Sequence, residues 1–164
     1  MEFTLLAPIM IIMLVAIADM ARLYTTMMSV ESAAREAADF GAFYTFNWET
    51  TPVDNRSLTE AEMTRRACVA ASNLPDYAGP ADNSTCTNPT VVSIDLIEPP
   101  GVIDCSAVPR DDEPCWVEVT LRHTFRLIAP LSFDFFGTTL GVPNSITFER
   151  SSTYAISDFE IREP

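Results

Sequence analysis

The chain contains no lysine and only one histidine among its 164 residues. Without a lysine amine it cannot form a Schiff base or an isopeptide link, and it lacks the lysine of a phosphate-binding P-loop. Ten arginines against 23 acidic residues give a net charge of −13. That charge argues against nucleic acid and anionic lipid headgroups as direct partners, because both attract basic patches. We interpret the acidity as a source of solubility and of repulsion between exposed domains.

Motifs for catalysis are scarce. No G-x-S-x-G, H-E-x-x-H, P-loop or Rossmann pattern occurs in the sequence. His123 has no obvious triad partner, and its place on an apolar strand face favours a core or edge residue over a catalyst. The acidic triplet 111–113 lacks the spacing and the glycine of an EF-hand loop, so a solvated loop tip is favoured over a Ca²⁺ site. We therefore expect no enzyme activity, no cofactor and no metal site.

The four cysteines, Cys68, Cys86, Cys105 and Cys115, all follow the first third of the chain. None forms a C-x-x-C pair, which disfavours zinc, and an even number favours disulfides in an oxidising compartment. Three pairings are open, and proximity in sequence favours Cys68–Cys86 and Cys105–Cys115. Each bond would stabilise the fold by about 3 kcal/mol. Four reduced, buried thiols remain the alternative.

An uncharged and mostly apolar stretch runs from Phe3 to Ala18, between Glu2 and Asp19. As a helix it would be about 24 Å long, slightly short of a bilayer span, and extension past Asp19 with Arg22 snorkelling would complete the span. The acidic flank and the absence of a break after the stretch argue against a cleaved signal peptide. A buried core helix is the remaining alternative. Pro8 removes one helical hydrogen bond, so we expect a kink or a looser turn there.

Helical spacing continues beyond the apolar stretch to about residue 46. Small or apolar residues recur at steps of three and four, at Leu23, Met27, Val30, Ala34, Ala37 and Gly41. This pattern predicts one buried helix face, with Glu31, Arg35 and Asp39 on the opposite face. The small side chains would allow a helix or a sheet to approach closely.

The remaining residues predict a mixed domain. Ser57 to Glu60 form a capping-box pattern that predicts a second helix through about Ser72, with Leu58, Met63, Ala67 and Ala70 or Ala71 buried. Alternating residues predict strands around 92–96, 116–128 and 145–157. Val92, Ile94 and Leu96 would share one face of the first strand. We predict an α+β fold in which three or four antiparallel strands are covered by the N-terminal helix. The predicted divisions are a stalk, 1–24, its amphipathic continuation, 25–48, and a disulfide-stabilised head, 49–164.

Glu2 places a carboxylate beside the α-amino group at the apolar end of the stalk. Inside an apolar assembly it could pair with the α-ammonium of a neighbouring subunit, which would favour one register. Equally, it could lie among lipid headgroups and favour the helix N-terminus through the helix dipole. The residues alone leave both roles open.

Three motifs follow one another in the first part of the chain: Glu2-Phe3-Thr4-Leu5-Leu6-Ala7-Pro8, then Asp19-Met20-Ala21-Arg22-Leu23-Tyr24, and then Ala33-Ala34-Arg35-Glu36-Ala37-Ala38. In this order they resemble the N-terminal part of the TadE-like pilins of tight-adherence (Tad/Flp) pili. The strand around Val117–Thr120 and the Ala129-Pro130-Leu131 segment resemble the C-terminal part of the family more loosely. The resemblance is therefore concentrated in about the first 45 residues.

The resemblance implies cleavage by a prepilin peptidase, storage of the helix in a bacterial inner membrane with the head in the periplasm, and extrusion by the assembly machinery into an extracellular pilus. It assigns assembly roles to Glu2, Phe3, Pro8, Asp19 and Arg22. Type IV pilins usually keep four residues between the cleavage point and the glutamate, whereas only Met1 precedes Glu2 here. We expect either a late start of this sequence or different processing.

The leading function is a structural filament subunit, either a major or a minor pilin, that assembles with copies of itself or related pilins and serves adhesion and biofilm formation. A monomeric membrane-anchored module that binds a surface is the second candidate, and an anchored enzyme of unrecognised type is the third. Filament and anchor differ in what surrounds the stalk, which is either other stalks or lipid.

Overall fold

Two helices and five strands make up the part of the chain that the computed structural model describes: residues 3–43, 48, 55–99, 105, 115–128, 132–135, 138–141 and 144–156. Side chains are described for these residues except 3–5, 132–135 and 138–141. In chain order the elements are α1 (Phe3–Ala42), α2 (Asn55–Ala71), β1 (Thr90–Ile97), β2 (Trp116–Arg126), β3 (Ser132–Phe135), β4 (Thr138–Gly141) and β5 (Ser145–Ala155). The predicted α+β fold with a long N-terminal helix is confirmed.

Three antiparallel strands form the main sheet, in the order β1-β2-β5. The central strand β2 has the clearest alternation, since Val117, Val119, Leu121, His123 and Phe125 are all fully buried on one face. Polar residues between them point to the other face, as the period of two requires. The short strands β3 and β4 pair with each other in a separate two-stranded sheet, where the sequence analysis predicts no strand.

The second part of α1 covers the buried face of the sheet and also packs against α2. Its contact face consists mainly of small residues: Ala33, Ala34, Ala37 and Ala38 are fully buried, and Ala42 is 5% exposed. Small side chains let the helix backbone come close to both neighbours, which is the close approach that the sequence predicts. Val30 and Leu23 extend the same face toward the N-terminus.

The C-terminal end of α1 is fixed by a glycine and a tryptophan. A Cβ atom at Gly41 would lie 2.7 Å from Sδ and Cε of Met63 and 3.2 Å from the ring of Trp48. A larger residue here would therefore force the end of the Met63 side chain to move, and glycine lets α1 and α2 approach closely without that shift. The Trp48 ring is 1% exposed, and its Nε1 donates a 2.9 Å hydrogen bond to the Gly41 carbonyl. That bond satisfies one of the carbonyls that the last helical turn leaves without a partner.

Helix α2 corrects two sequence predictions. It begins at Asn55, so the capping-box serine, Ser57, lies inside its first turn and not before it. The buried face consists of Thr59, Met63, Ala67, Cys68 and Ala71. Leu58 was expected in the core but is 64% exposed, because it lies five residues before Met63 and hence about 140° around the helix. Ala70 is likewise exposed.

A β-bulge in β1 changes which residues face the core. The register between β1 and β2 shifts between Val91 and Ser93. Val91, Ile94 and Leu96 pack against the core, whereas Val92 is 44% exposed. The prediction that Val92 shares a face with Ile94 and Leu96 is therefore wrong, because one extra residue in a strand reverses the side-chain alternation.

Candidate assembly site

The first part of α1 projects beyond the rest of the described structure. Every side chain from residue 6 to residue 18 is exposed, except that of Val15, which is partly buried. We call residues 6–18 the bare segment and Asp19–Ala42 the covered segment. The helix has the length and apolar composition of a membrane span, with a mean hydropathy of 2.0 over its most apolar window and only 11% of that window buried. Such exposure argues against the alternative of a buried core helix, and large exposed apolar surfaces of this kind are typical of sites that contact a membrane or another protein.

One face of α1 stays apolar and exposed beyond the bare segment. Seven side chains that are 51% to 66% exposed form this face, which we call the apolar stripe: Leu6, Met10, Met13, Ile17, Met20, Tyr24 and Met28. Their spacing of three and four residues places them within about 80° of helix circumference. Met20, Tyr24 and Met28 lie on the covered segment but outside the face that packs against the sheet. Farther along, the exposed side turns polar, with Glu31 and Arg35 joined in an ion pair.

Asp19 marks the point where the head begins to cover the helix. It is 5% exposed, and both of its carboxylate oxygens lie 3.2 Å from the backbone nitrogen of Ile128, just after the end of β2. The Ile128 N–H therefore donates to a residue 109 positions earlier in the chain. The carboxylate that follows the bare segment thus faces the head and not solvent.

Arg22 lies one turn after Asp19 and contacts both Asp19 and the head. Its Nη1 is 3.4 Å from Oδ1 of Asp19, and its guanidinium carbon lies 5.2 Å from the centre of the buried Phe125 ring. The arginine side chain is 38% exposed, so the ion pair itself contributes little stability. Its contact with the ring adds a cation–π interaction to the attachment.

The other three residues expected in assembly are described to different extents. Glu2 lies outside the described residues. Phe3 is the first residue of α1, and the helix is continuous through Pro8. Among the expected residues whose side chains are described, Asp19 and Arg22 are brought together, and they meet at the head.

The cysteine pairs favoured by sequence proximity are at bonding distance. The Sγ atoms of Cys68 and Cys86 are 2.01 Å apart, and those of Cys105 and Cys115 are 2.00 Å apart. The first pair connects α2 to the loop before β1, and the second pair connects residue 105 to the start of β2. Both crosslinks lie in the head and leave the stalk unconstrained.

His123 is a buried residue and not part of a catalytic arrangement. It is fully buried beside Phe148, with ring centres 5.6 Å apart, and neither of its nitrogens has a hydrogen-bond partner among the described residues. Burial lowers the pKa of His123 below its ordinary value of 6.5, and the charge of Asp76 opposes this shift. Within the same part of the chain, no group of three or more His, Cys, Asp or Glu side chains is arranged to hold a metal ion. The acidic triplet 111–113 lies outside the described residues.

Sequence reasoning missed the exposed stripe on the covered segment. The four-residue spacing of Met20, Tyr24 and Met28 is a sequence signal for this stripe. The buried face of the same helix shows a similar spacing, and only that face was predicted. The contact between Asp19 and Ile128 left no such signal, because it joins distant segments through a backbone group.

A long apolar helix that projects from a small α+β head defines a class of anchored or polymerising proteins. Within that class, residues 1–39 match the model of the TadE-like protein family. The resemblance inferred from the sequence is thus confirmed over the bare segment and most of the covered segment. TadE-like proteins are a structural family associated with Tad pili, so the match indicates a pilus-associated protein with an N-terminal apolar helix. No curated protein and no solved structure matches this chain.

Proposed function

We propose that this chain is a non-enzymatic pilin subunit that assembles through α1 into an extracellular filament serving surface adhesion and biofilm formation. Before assembly the bare segment lies in a bacterial inner membrane and the head lies in the periplasm. A prepilin peptidase and the Tad assembly machinery would process and extrude the subunit, as its family match suggests.

The observation that carries this proposal is the length of the apolar stripe. From Leu6 to Met28 the stripe rises about 33 Å, whereas the hydrocarbon core of a bilayer is about 30 Å thick. In an upright helix, Met28 therefore lies beyond the hydrocarbon, beside the head and on the side away from it. A purely lipid-anchored monomer has no use for an apolar surface there. A neighbouring helix in a filament would bury it.

Methionine supplies four of the seven stripe residues: Met10, Met13, Met20 and Met28. Flexible, polarisable side chains of this kind adapt to irregular apolar surfaces. The head carries most of the charge, and its repulsion would keep adjacent heads apart while the stalks pack. These properties suit contacts with copies of the chain or with related pilins.

Substitution of the stripe beside the head tests the proposal in a piliated host. Tyr24→Glu or Met28→Glu would place a charge in the helix contact, where it lacks a partner. We expect sheared filaments to fall to background while the protein still accumulates in the membrane. Ser32→Glu is the matched control, since Ser32 is exposed on the same helix but outside the stripe. Normal filament yield with both stripe variants would overturn the proposal.

Photocrosslinking separates a filament subunit from a membrane-anchored monomer. A photoreactive residue at position 24 should capture a second copy of the chain, and the same residue at position 32 should not. Capture of lipid alone at position 24 would favour the anchored monomer. Glu2→Ala tests the tip of the stalk separately, and unchanged filament yield would contradict the assembly role of Glu2.

A further inference from the structure

The end of β2 has one edge that no strand covers among the described residues. Strand β1 begins at Thr90, opposite Arg122, and therefore leaves the last part of β2 unpaired on that side. On the other side β5 pairs with β2 as far as Arg126, and the Asn144 carbonyl then accepts a hydrogen bond from the Leu127 N–H. The backbone groups of residues 124, 126 and 128 thus point to the edge that β1 leaves open, because alternate residues of a strand point to the same edge.

Three side chains occupy that edge in order. The Thr124 N–H donates to Oδ1 of Asn88 at 2.8 Å, and the Arg126 N–H donates to Oδ2 of Asp76 at 3.0 Å. The third position is the contact of the Ile128 N–H with Asp19. The first two acceptors belong to the head, whereas the third belongs to the stalk helix. Side chains therefore continue the hydrogen bonding of the sheet from the head onto α1.

The apolar contact between α1 and the head repeats along the helix. Buried alanines occur in pairs one turn apart, at 33 and 34 and again at 37 and 38, with Ala42 following. A shift of the helix by one turn would exchange one pair of alanines for the other, and it would also move Gly41 away from Met63. The hydrophobic attraction between the alanines and the sheet has little directional preference. A buried polar contact, in contrast, is satisfied in one register only, as polar residues in coiled coils show.

We propose that Asp19 is a positioning residue whose carboxylate, through the Ile128 N–H, selects one height and one rotation of the head on the stalk. Asp19 is the first buried residue of α1 from residue 6 onward, where side chains are described, and a rotation by one residue would swing its side chain by about 100° away from β2. The contact also fixes which face of the helix is turned outward, and this face is the apolar stripe. In this last step the inference rests on the proposed function, because the stripe matters only if it meets another subunit.

The test uses the full chain in detergent micelles, where no filament forms, so its result is independent of pilus assembly. Amide hydrogen exchange and the alanine methyl signals are measured by NMR for Asp19→Ala and for Asp19→Asn, which keeps an oxygen acceptor. We expect the Ile128 amide to exchange at least about tenfold faster in Asp19→Ala, and less so in Asp19→Asn. We also expect the methyl signals of the buried alanines, Ala33, Ala34, Ala37 and Ala38, to broaden or to split into more than one set.

Asp76→Asn is the matched control, since it weakens the neighbouring contact without touching the stalk. It should change exchange at Arg126 and leave a single set of alanine signals. The inference is overturned if Asp19→Ala leaves the Ile128 amide protected and the alanine signals unchanged. A uniform loss of protection throughout β2 would also overturn it, because Asp19 would then stabilise the head without selecting a register. Loss of filaments in a piliated host bears on the proposed function and not on this measurement.

Discussion

The bare and covered segments of α1 belong to one continuous helix, yet they use apolar residues in opposite ways. The bare segment carries large side chains such as Ile9, Met13 and Leu14, which are 53% to 62% exposed. The covered segment buries mostly alanine against the head. Large exposed side chains offer area for an external partner, and small buried ones permit close internal contact. Residue size, more than hydrophobicity alone, thus distinguishes the two kinds of helix surface.

The largest effect on stability is expected in the head. If the head folds independently of the bare segment, a change in the head should leave the bare segment unaffected. Removal of the crosslink with Cys68→Ser and Cys86→Ser should lower the free energy of unfolding by about 3 kcal/mol. Urea titration of the full chain in micelles, followed by tryptophan fluorescence, measures the loss because Trp48 and Trp116 both lie outside the stalk. Amide exchange of residues 6–18 should stay unchanged.

Thiol counting supplies the control for this prediction. Denatured, unreduced protein should contain no titratable thiol, since all four cysteines are expected to be paired as Cys68–Cys86 and Cys105–Cys115. Four titratable thiols would contradict both disulfides, and faster exchange in the bare segment would contradict its independence from the head.

A matched pair of substitutions tests the two segments directly. Ala34 is fully buried, so Ala34→Leu should overpack the contact between α1 and the head and cost about 1–3 kcal/mol of unfolding free energy. Ala16 is exposed on the same helix, so Ala16→Leu should leave urea unfolding of the head unchanged. Equal losses for the two variants would show that the bare segment contributes to the fold of the head.

The free energy of unfolding of the head should depend on pH through His123, which is buried on β2. The neutral imidazole is favoured in the folded head, because burial lowers the pKa of His123 below 6.5. As the pH falls through about 6.5, the unfolded chain binds the proton more readily, so this contribution to stability declines by at most about 1.4 kcal/mol per pH unit. The decline should be smaller for His123→Phe. An identical pH slope of urea unfolding for both proteins would exclude His123 as its source.

The sequence predicted much of this architecture because hydrophobic periodicity is local. The buried alanine face of α1 and the alternation of β2 follow from spacings of about four and two residues. Leu58 was misplaced because its spacing of five residues from Met63 turns it away from the buried face of α2. Val92 was misplaced because a β-bulge decides its orientation, and the apolar pattern does not reveal a bulge. The contact of Asp19 with Ile128 was also hidden, because its second partner is a backbone N–H that every residue except proline carries.

The smallest expected effect concerns the outward side of the covered segment. Glu31 and Asp19 each have an arginine partner on α1, but their side chains are 30% and 7% exposed, respectively. Glu31→Gln should cost less than about 0.5 kcal/mol in urea unfolding, since an exposed helix ion pair contributes little and is screened by salt. Asp19→Asn should cost more, because the Ile128 N–H loses a charged acceptor in a buried position. If the two variants lose equal stability, and both losses vanish at high salt, the carboxylate of Asp19 acts as an ordinary surface charge and the junction does not depend on its burial.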